Sequence, residues 1–102
     1  MKRKNRNHGY STELAKDYLD DRIPIISLST QTSKQYVWKD GHKTDTVSGY
    51  HAWFVQQEVG PFKVKFEREP KLPQFLSQVE LENLQACEVG NNVYFKAKDI
   101  KG

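Results

Sequence analysis

The sequence predicts a mainly β domain, a small barrel of five to seven short strands with one short helix near its N-terminus. Three observations predict it. Apolar and basic residues alternate strictly in Phe62-Lys63-Val64-Lys65-Phe66, the two-residue period of a half-buried strand. Turn signals recur at short intervals, at Asp40-Gly41, Gly60-Pro61 and Gly90-Asn91-Asn92. The chain has 102 residues, 36% of them hydrophobic and 12% aromatic, enough for one modest core and too few for two.

The elements follow in order. Residues 1–10 read as a basic tail, and residues 11–102 as a single domain. Ser11 or Thr12 can cap a short helix, with Glu13 at the favourable end of its dipole and Leu14, Tyr18 and Leu19 as its apolar stripe. Pro24 forbids continuation. Ile23–Leu28 is then a first strand, expected at a sheet edge because of the proline. Ser29–Ser33 is a polar loop. A second strand covers Lys34–Lys39 and a third Tyr50–Val55, with a protruding ten-residue loop, Asp40–Gly49, between them. Gly60-Pro61 reverses the chain into the fourth strand, Phe62–Phe66. Pro70-Lys71-Leu72-Pro73 excludes regular structure and forms a connection. Gln78–Glu82 alternates as a strand, and Gly90-Asn91-Asn92 joins Ala86–Val89 to Val93–Ala97 as a hairpin. Lys98–Gly102 is a short polar end. Such a series fits an oligonucleotide-binding (OB)-like barrel first, and an SH3-like barrel or compact sandwich second. Strand order is not readable from the pattern.

The charge is unevenly placed. Of sixteen Lys and Arg, four (Lys2, Arg3, Lys4 and Arg6) lie in the first nine residues, leaving twelve against thirteen acids. The net charge of +3 therefore belongs to the arm. An arm of this kind reaches phosphates or serves as a solubilising tail, and both readings stay open. Cys87 is alone, which excludes an intrachain disulfide, and it reads as a small apolar filler. No apolar run has the length of a membrane span, and no apolar segment follows the basic start as in a secretory signal. The expected location is cytoplasmic, with no membrane partner.

Chemistry-bearing constellations are sparse. Asp40, His42 and Asp45 are close in sequence, but an Asp-Gly turn explains Asp40 without a metal. Glu80 and Glu82 read as a solvated strand face. No phosphate loop, nucleophile elbow or paired-histidine motif occurs. The chain is expected to be no enzyme and to need no cofactor.

The binding candidates come from face assignment. With Phe62, Val64 and Phe66 inward, Lys63 and Lys65 point out. With Val93 and Phe95 inward, Tyr94 and Lys96 point out. Ala52 and Phe54 as core residues free Trp53. On the second strand Tyr36 and Trp38 oppose Val37, their direction unassigned, and Lys39 and Lys43 flank the turn. Rings beside lysines suit single-stranded nucleic acid, which stacks bases on aromatics and sets phosphates against ammonium groups. Core aromatics and a wet lysine face are the plain alternative.

The run Asp40-Gly41-His42-Lys43-Thr44-Asp45-Thr46-Val47-Ser48-Gly49-Tyr50 resembles a signature in small accessory proteins of integrative and conjugative elements of Gram-positive bacteria. In that family a similar Asp-Gly-x-Lys-Thr-Asp-x-x-x-Gly-Tyr run separates two strands. The likeness continues through Phe62–Lys65, Pro73, Phe75 and Val79–Leu84 to Val93–Ile100, covering about residues 34–100. It implies a helper of element replication or transfer, of helicase-processivity or single-strand-binding type, acting beside a helicase and a relaxase. The expected function is thus single-stranded DNA binding for a mobile element or phage. The alternative is a protein-interaction adaptor for a helicase or relaxase without nucleic-acid contact. Homo-oligomerisation is open.

Overall fold

The computed structural model describes residues 9–101. The basic arm residues Lys2, Arg3, Lys4 and Arg6 lie outside the described residues. The helix, α1, spans Thr12–Tyr18. Ser11 is its extended cap, and its Oγ accepts the Leu14 N–H at 3.2 Å, satisfying one of the free donors of the first turn. The chain leaves the helix at Leu19, which is extended, and Gln56 fixes the segment that follows. Gln56 is 1% exposed. Its Nε2 donates to Asp20 O at 2.7 Å and Ile23 O at 2.9 Å, and its Oε1 accepts the Asp20 N–H at 2.9 Å. A buried amide is tolerated here because its hydrogen bonds are made.

Strand β1 is Ile25–Ser27. It pairs with a strand on each side, so it is internal rather than at the edge expected from Pro24. Pro24 precedes the first ladder residue, and its missing N–H removes no sheet bond.

Strands β2 (Ser33–Lys39) and β3 (His42–Gln56) form a long hairpin. Asp40 (φ 53°) and Gly41 (φ 78°) supply the two left-handed residues of a primed turn. The ten-residue loop expected over residues 40–49 is therefore a two-residue turn followed by strand. Its polar composition hid the strand, because both faces of this part of the hairpin meet water. The register steps from Gln35↔Gly49 to Tyr36↔Val47 and then to Trp38↔Lys43, so β3 carries extra residues. Side chains secure these bulges. Ser48 Oγ donates to Gln35 O at 3.2 Å, and Thr44 Oγ1 donates to Val37 O at 2.7 Å while accepting the Thr46 N–H at 3.2 Å.

The second half of β3 pairs with β4 (Gly60–Phe66), from Tyr50↔Phe66 to Gln56↔Gly60. The hairpin beyond Tyr50 consequently projects past β4 as a two-stranded ribbon. Strands β5 (Gln78–Glu82), β6 (Gln85–Val89), β7 (Asn92–Lys96) and β8 (Asp99–Lys101) complete the sheet. The polar C-terminal segment is thus a strand, with Ile100 paired to Leu81 and set against the core. The pairing path is β6-β7-β4-β3-β1-β5-β8, with β2 also on β3. The β4–β7 pair is parallel, Val64↔Phe95 and Lys65↔Lys96. Because β5 runs into β6 through Asn83 and Leu84, the strand at one end of the path is tied to the strand next to the other end, and the sheet curls into a partly closed barrel.

The concave side holds the core. Phe54, Val64 and Phe66 are fully buried, with Ala52, Phe62 and Phe95 beside them. The Phe54, Phe62, Phe66 and Phe95 rings pack at centroid distances of 5.3–6.3 Å. Ala15 of helix α1 and Leu19, just past its end, join this core. Tyr18, expected in the helix stripe, instead lies at its rim, edge-on to Phe95, with its hydroxyl on the Glu88 carboxylate. Among the described residues no helix is long and apolar enough to cross a membrane.

Candidate nucleic-acid interface

Strand alternation turns the opposite faces of β3 and β4 outward. Ala52 and Phe54 are 1% and 0% exposed, whereas Trp53 between them is 45% exposed. Its backbone is held by the β1–β2 connection. Trp53 N–H donates to Ser29 Oγ at 2.7 Å, and Leu28 N–H donates to Trp53 O at 2.9 Å. The indole therefore projects from a fixed point. Directly across the ladder is Lys63, with Nζ 5.9 Å from the Trp53 ring centroid. His51 and Lys65 are the next facing pair.

The parallel β4–β7 register carries this face onward. Lys96 sits beside Lys65, and Tyr94, 46% exposed, precedes it on the same side of β7. Trp53, Lys63, Lys65 and Tyr94 line one cleft of about 570 Å³ together with His51 and Tyr10. Among the described residues no carboxylate forms an ion pair with Lys63, Lys65 or Lys96; the ion pairs join Asp20 to Arg22 and Glu82 to Lys98 and Lys101. The cleft thus combines π faces with free positive charge, the pairing that accommodates bases and phosphates.

Three contributors escaped sequence reasoning. Tyr10 was assigned to the tail, but the chain is anchored at Ser11, whose backbone exchanges two hydrogen bonds with Ala86 at 2.9 and 3.0 Å. Lys96 Nζ lies 4.8 Å from the Tyr10 ring centroid. Burial, with the adjacent Cys87 thiol and Tyr94, pushes the Tyr10 phenol up to about 12, so it stays neutral. His51 lies in the cleft wall, and burial, reinforced by Lys63 and Lys65, holds its imidazole below the ordinary value. Gly49 is the third. A Cβ there would stand 2.8 Å from Lys65 Cε and 3.1 Å from Phe66 O, so the bare backbone is the bed on which the Lys65 stem lies. The outward direction of Trp53, Lys63, Lys65, Tyr94 and Lys96 was legible from alternation in the sequence; the pairing of Trp53 with Lys63 and the contacts of Tyr10 and Gly49 depend on strand register and order and were not.

Tyr36, Trp38, Lys39 and Lys43 are not part of this cleft. They sit on the projecting ribbon. Gln35 lines the cleft, so by alternation along β2 Tyr36 and Trp38 leave the strand on the other side. Trp38 is 67% exposed and faces Lys43 across the ladder, and Lys43 Nζ is 4.9 Å from the Tyr36 ring centroid. Lys39 pairs with His42 beside the turn. Asp40, His42 and Asp45 do not converge, and among the described residues no three His, Cys, Asp or Glu side chains gather as metal ligands.

Compared with protein families, with curated proteins and with solved structures, the chain matches none.

Proposed function

We propose that this chain is a non-enzymatic single-stranded DNA-binding protein whose barrel is of the OB type. The observation that carries the reading is Trp53, half exposed on a fixed backbone, with Lys63 over its ring and Lys65, Tyr94 and Lys96 on the same outer face. Bases stack on the rings at about 1–3 kcal/mol each, and the lysines follow the phosphates. The pairing path supports the barrel type. Taking β1 and β2 as one interrupted first strand and β5 with β6 as one bent strand, the order is first, second, third, fifth, fourth, with the third and fifth parallel. In OB barrels the face of the second and third strands receives oligonucleotides, and here those strands are β3 and β4.

The resemblance over residues 34–100 gives the setting: replication or conjugative transfer of a mobile element or phage, in the cytoplasm, beside a helicase or relaxase.

One observation favours the adaptor reading as a second role. Phe75 and Leu76 are 54% and 57% exposed side by side, with Leu76 held at φ 68° by its N–H bond to Ser27 O at 2.7 Å. An apolar pair on a strained turn suits a protein partner such as the helicase.

Titration with oligothymidylate tests the main reading. Tryptophan fluorescence is expected to be quenched by micromolar strand at low salt and restored by added salt. An unchanged spectrum at low salt refutes it, and a helicase or relaxase captured under those same conditions leaves the adaptor as the function.

A further inference from the structure

The ribbon repeats, in miniature, the construction of the cleft. Tyr36 lies under Lys43 as Trp53 lies under Lys63, and Trp38 stands beside them as the most exposed large apolar side chain among the described residues. Among the described residues no strand or helix packs on this face, because the two-stranded ribbon runs on beyond β4. The platform is nonetheless fixed, since Thr44 and Ser48 bond the bulges of β3 to the β2 backbone at Val37 and Gln35. The charge also fits one occupant. Lys43 is at the rings and Lys39 is on the same strand as Trp38, and among the described residues neither has an ion-pair partner.

From this geometry we infer that the ribbon is a second single-strand-binding platform, independent of the cleft, with Trp38 and Tyr36 stacking bases and Lys43 holding phosphate. It rests on the single-strand reading above and extends it from one contact surface to two. The platforms lie ten residues apart along β3, three of them bulged, so the separation is about seven strand rises or roughly 23 Å, and by alternation along β2 they point to opposite sides. A strand of a few nucleotides therefore fills one platform and leaves the other empty. A longer one either wraps from cleft to ribbon, or two strands are held at once.

The two tryptophans make the test clean, since each platform contains one. Trp38→Phe leaves Trp53 as the only reporter, and Trp53→Phe leaves Trp38. Each variant of the full chain is titrated with (dT)5, near the lower limit of about 4 nucleotides for an OB site, and with (dT)30. Both reporters are expected to be quenched by (dT)5, with two pentamers bound per wild-type chain. Lys43→Ala should weaken only the Trp38 isotherm, and Lys65→Ala only the Trp53 isotherm. If one strand wraps both platforms, (dT)30 binds one per chain and about 100-fold more tightly than (dT)5. If two strands are bridged, two (dT)30 molecules bind per chain without that gain. Quenching of Trp53 with Trp38 unaffected overturns the second platform and leaves the cleft intact. Equal weakening of both isotherms by Lys65→Ala also overturns it, since the reporters then share one site. Failure of both reporters to respond removes the single-strand reading itself.

Discussion

Replacement of Lys65 by alanine is the sharpest perturbation of the cleft, because it removes one ammonium and leaves the stacking rings in place. Lys63, Lys65 and Lys96 share the outer face of β4 and β7 without ion-pair partners among the described residues. Three phosphate contacts to a single strand give a slope of about −2.1 in log Kobs against log salt, at about 0.7 per contact. Raising salt from about 50 to 200 mM then weakens binding about 20-fold. Lys65→Ala should reduce the slope to about −1.4 and the salt effect to about 7-fold. The assay is quenching of Trp53 by (dT)5 in a Trp38→Phe background at four salt concentrations, with the basic arm retained in both proteins so that its contribution cancels. A slope unchanged by Lys65→Ala would refute the assignment of Lys65 to a phosphate, even if the affinity itself fell.

Further expectations follow from the same geometry. His51 is held below its ordinary value by burial and then by Lys63 and Lys65. Phosphates on those lysines relieve the repulsion and raise it, so binding takes up protons. Oligonucleotide affinity should therefore increase as pH falls from 6.5 toward that depressed value and be flat above 6.5, and His51→Gln should remove the dependence. Without ligand the sign reverses: the unfolded chain binds the proton more readily, so the His51 contribution to stability is full above 6.5 and lost as pH falls through the depressed folded value. Gly49→Ala should lift the Lys65 stem and weaken binding, with little further loss in a Lys65→Ala background; equal losses in both backgrounds would show that Gly49 acts only on the fold. Gln56→Leu strands backbone groups at Asp20 and Ile23, each costing about 1–3 kcal/mol if kept from water, and should lower the melting temperature by at least about 5 °C. An unchanged melting temperature would mean that water reaches them.

Local alternation carried most of what the sequence revealed. Phe62, Val64 and Phe66 are buried and Lys63 is exposed, as the two-residue period required, and the same period separated Ala52 and Phe54 from Trp53. Asp40-Gly41 marked its turn because few other residue pairs adopt two left-handed conformations. Strand β3 ran further than expected because its ribbon half is wet on both faces and bulged, which erases the period. Pro24 misdirected β1 to an edge, since proline excludes a ladder position only where its N–H would have been used. The joining of Trp53 and Lys63 to Tyr94 and Lys96 depends on the parallel β4–β7 pair. That pairing lies between strands about thirty residues apart and leaves no local trace. Tyr10 was hidden for the same reason, its place being fixed by the bridge from Ser11 to Ala86.

The central claim is that the outer face of β3, β4 and β7 is where single-stranded DNA lies. An amide and indole N–H NMR titration of the full chain with (dT)5 tests it most directly. The account predicts progressive shifts at the Trp53 indole, at Lys63 and Lys65, and at Tyr94 and Lys96, with the buried Phe54 and Phe66 amides and the α1–β5 side unmoved. Shifts confined to Phe75, Leu76 or the α1–β5 side, with the Trp53 indole unmoved at saturating oligonucleotide, would contradict it.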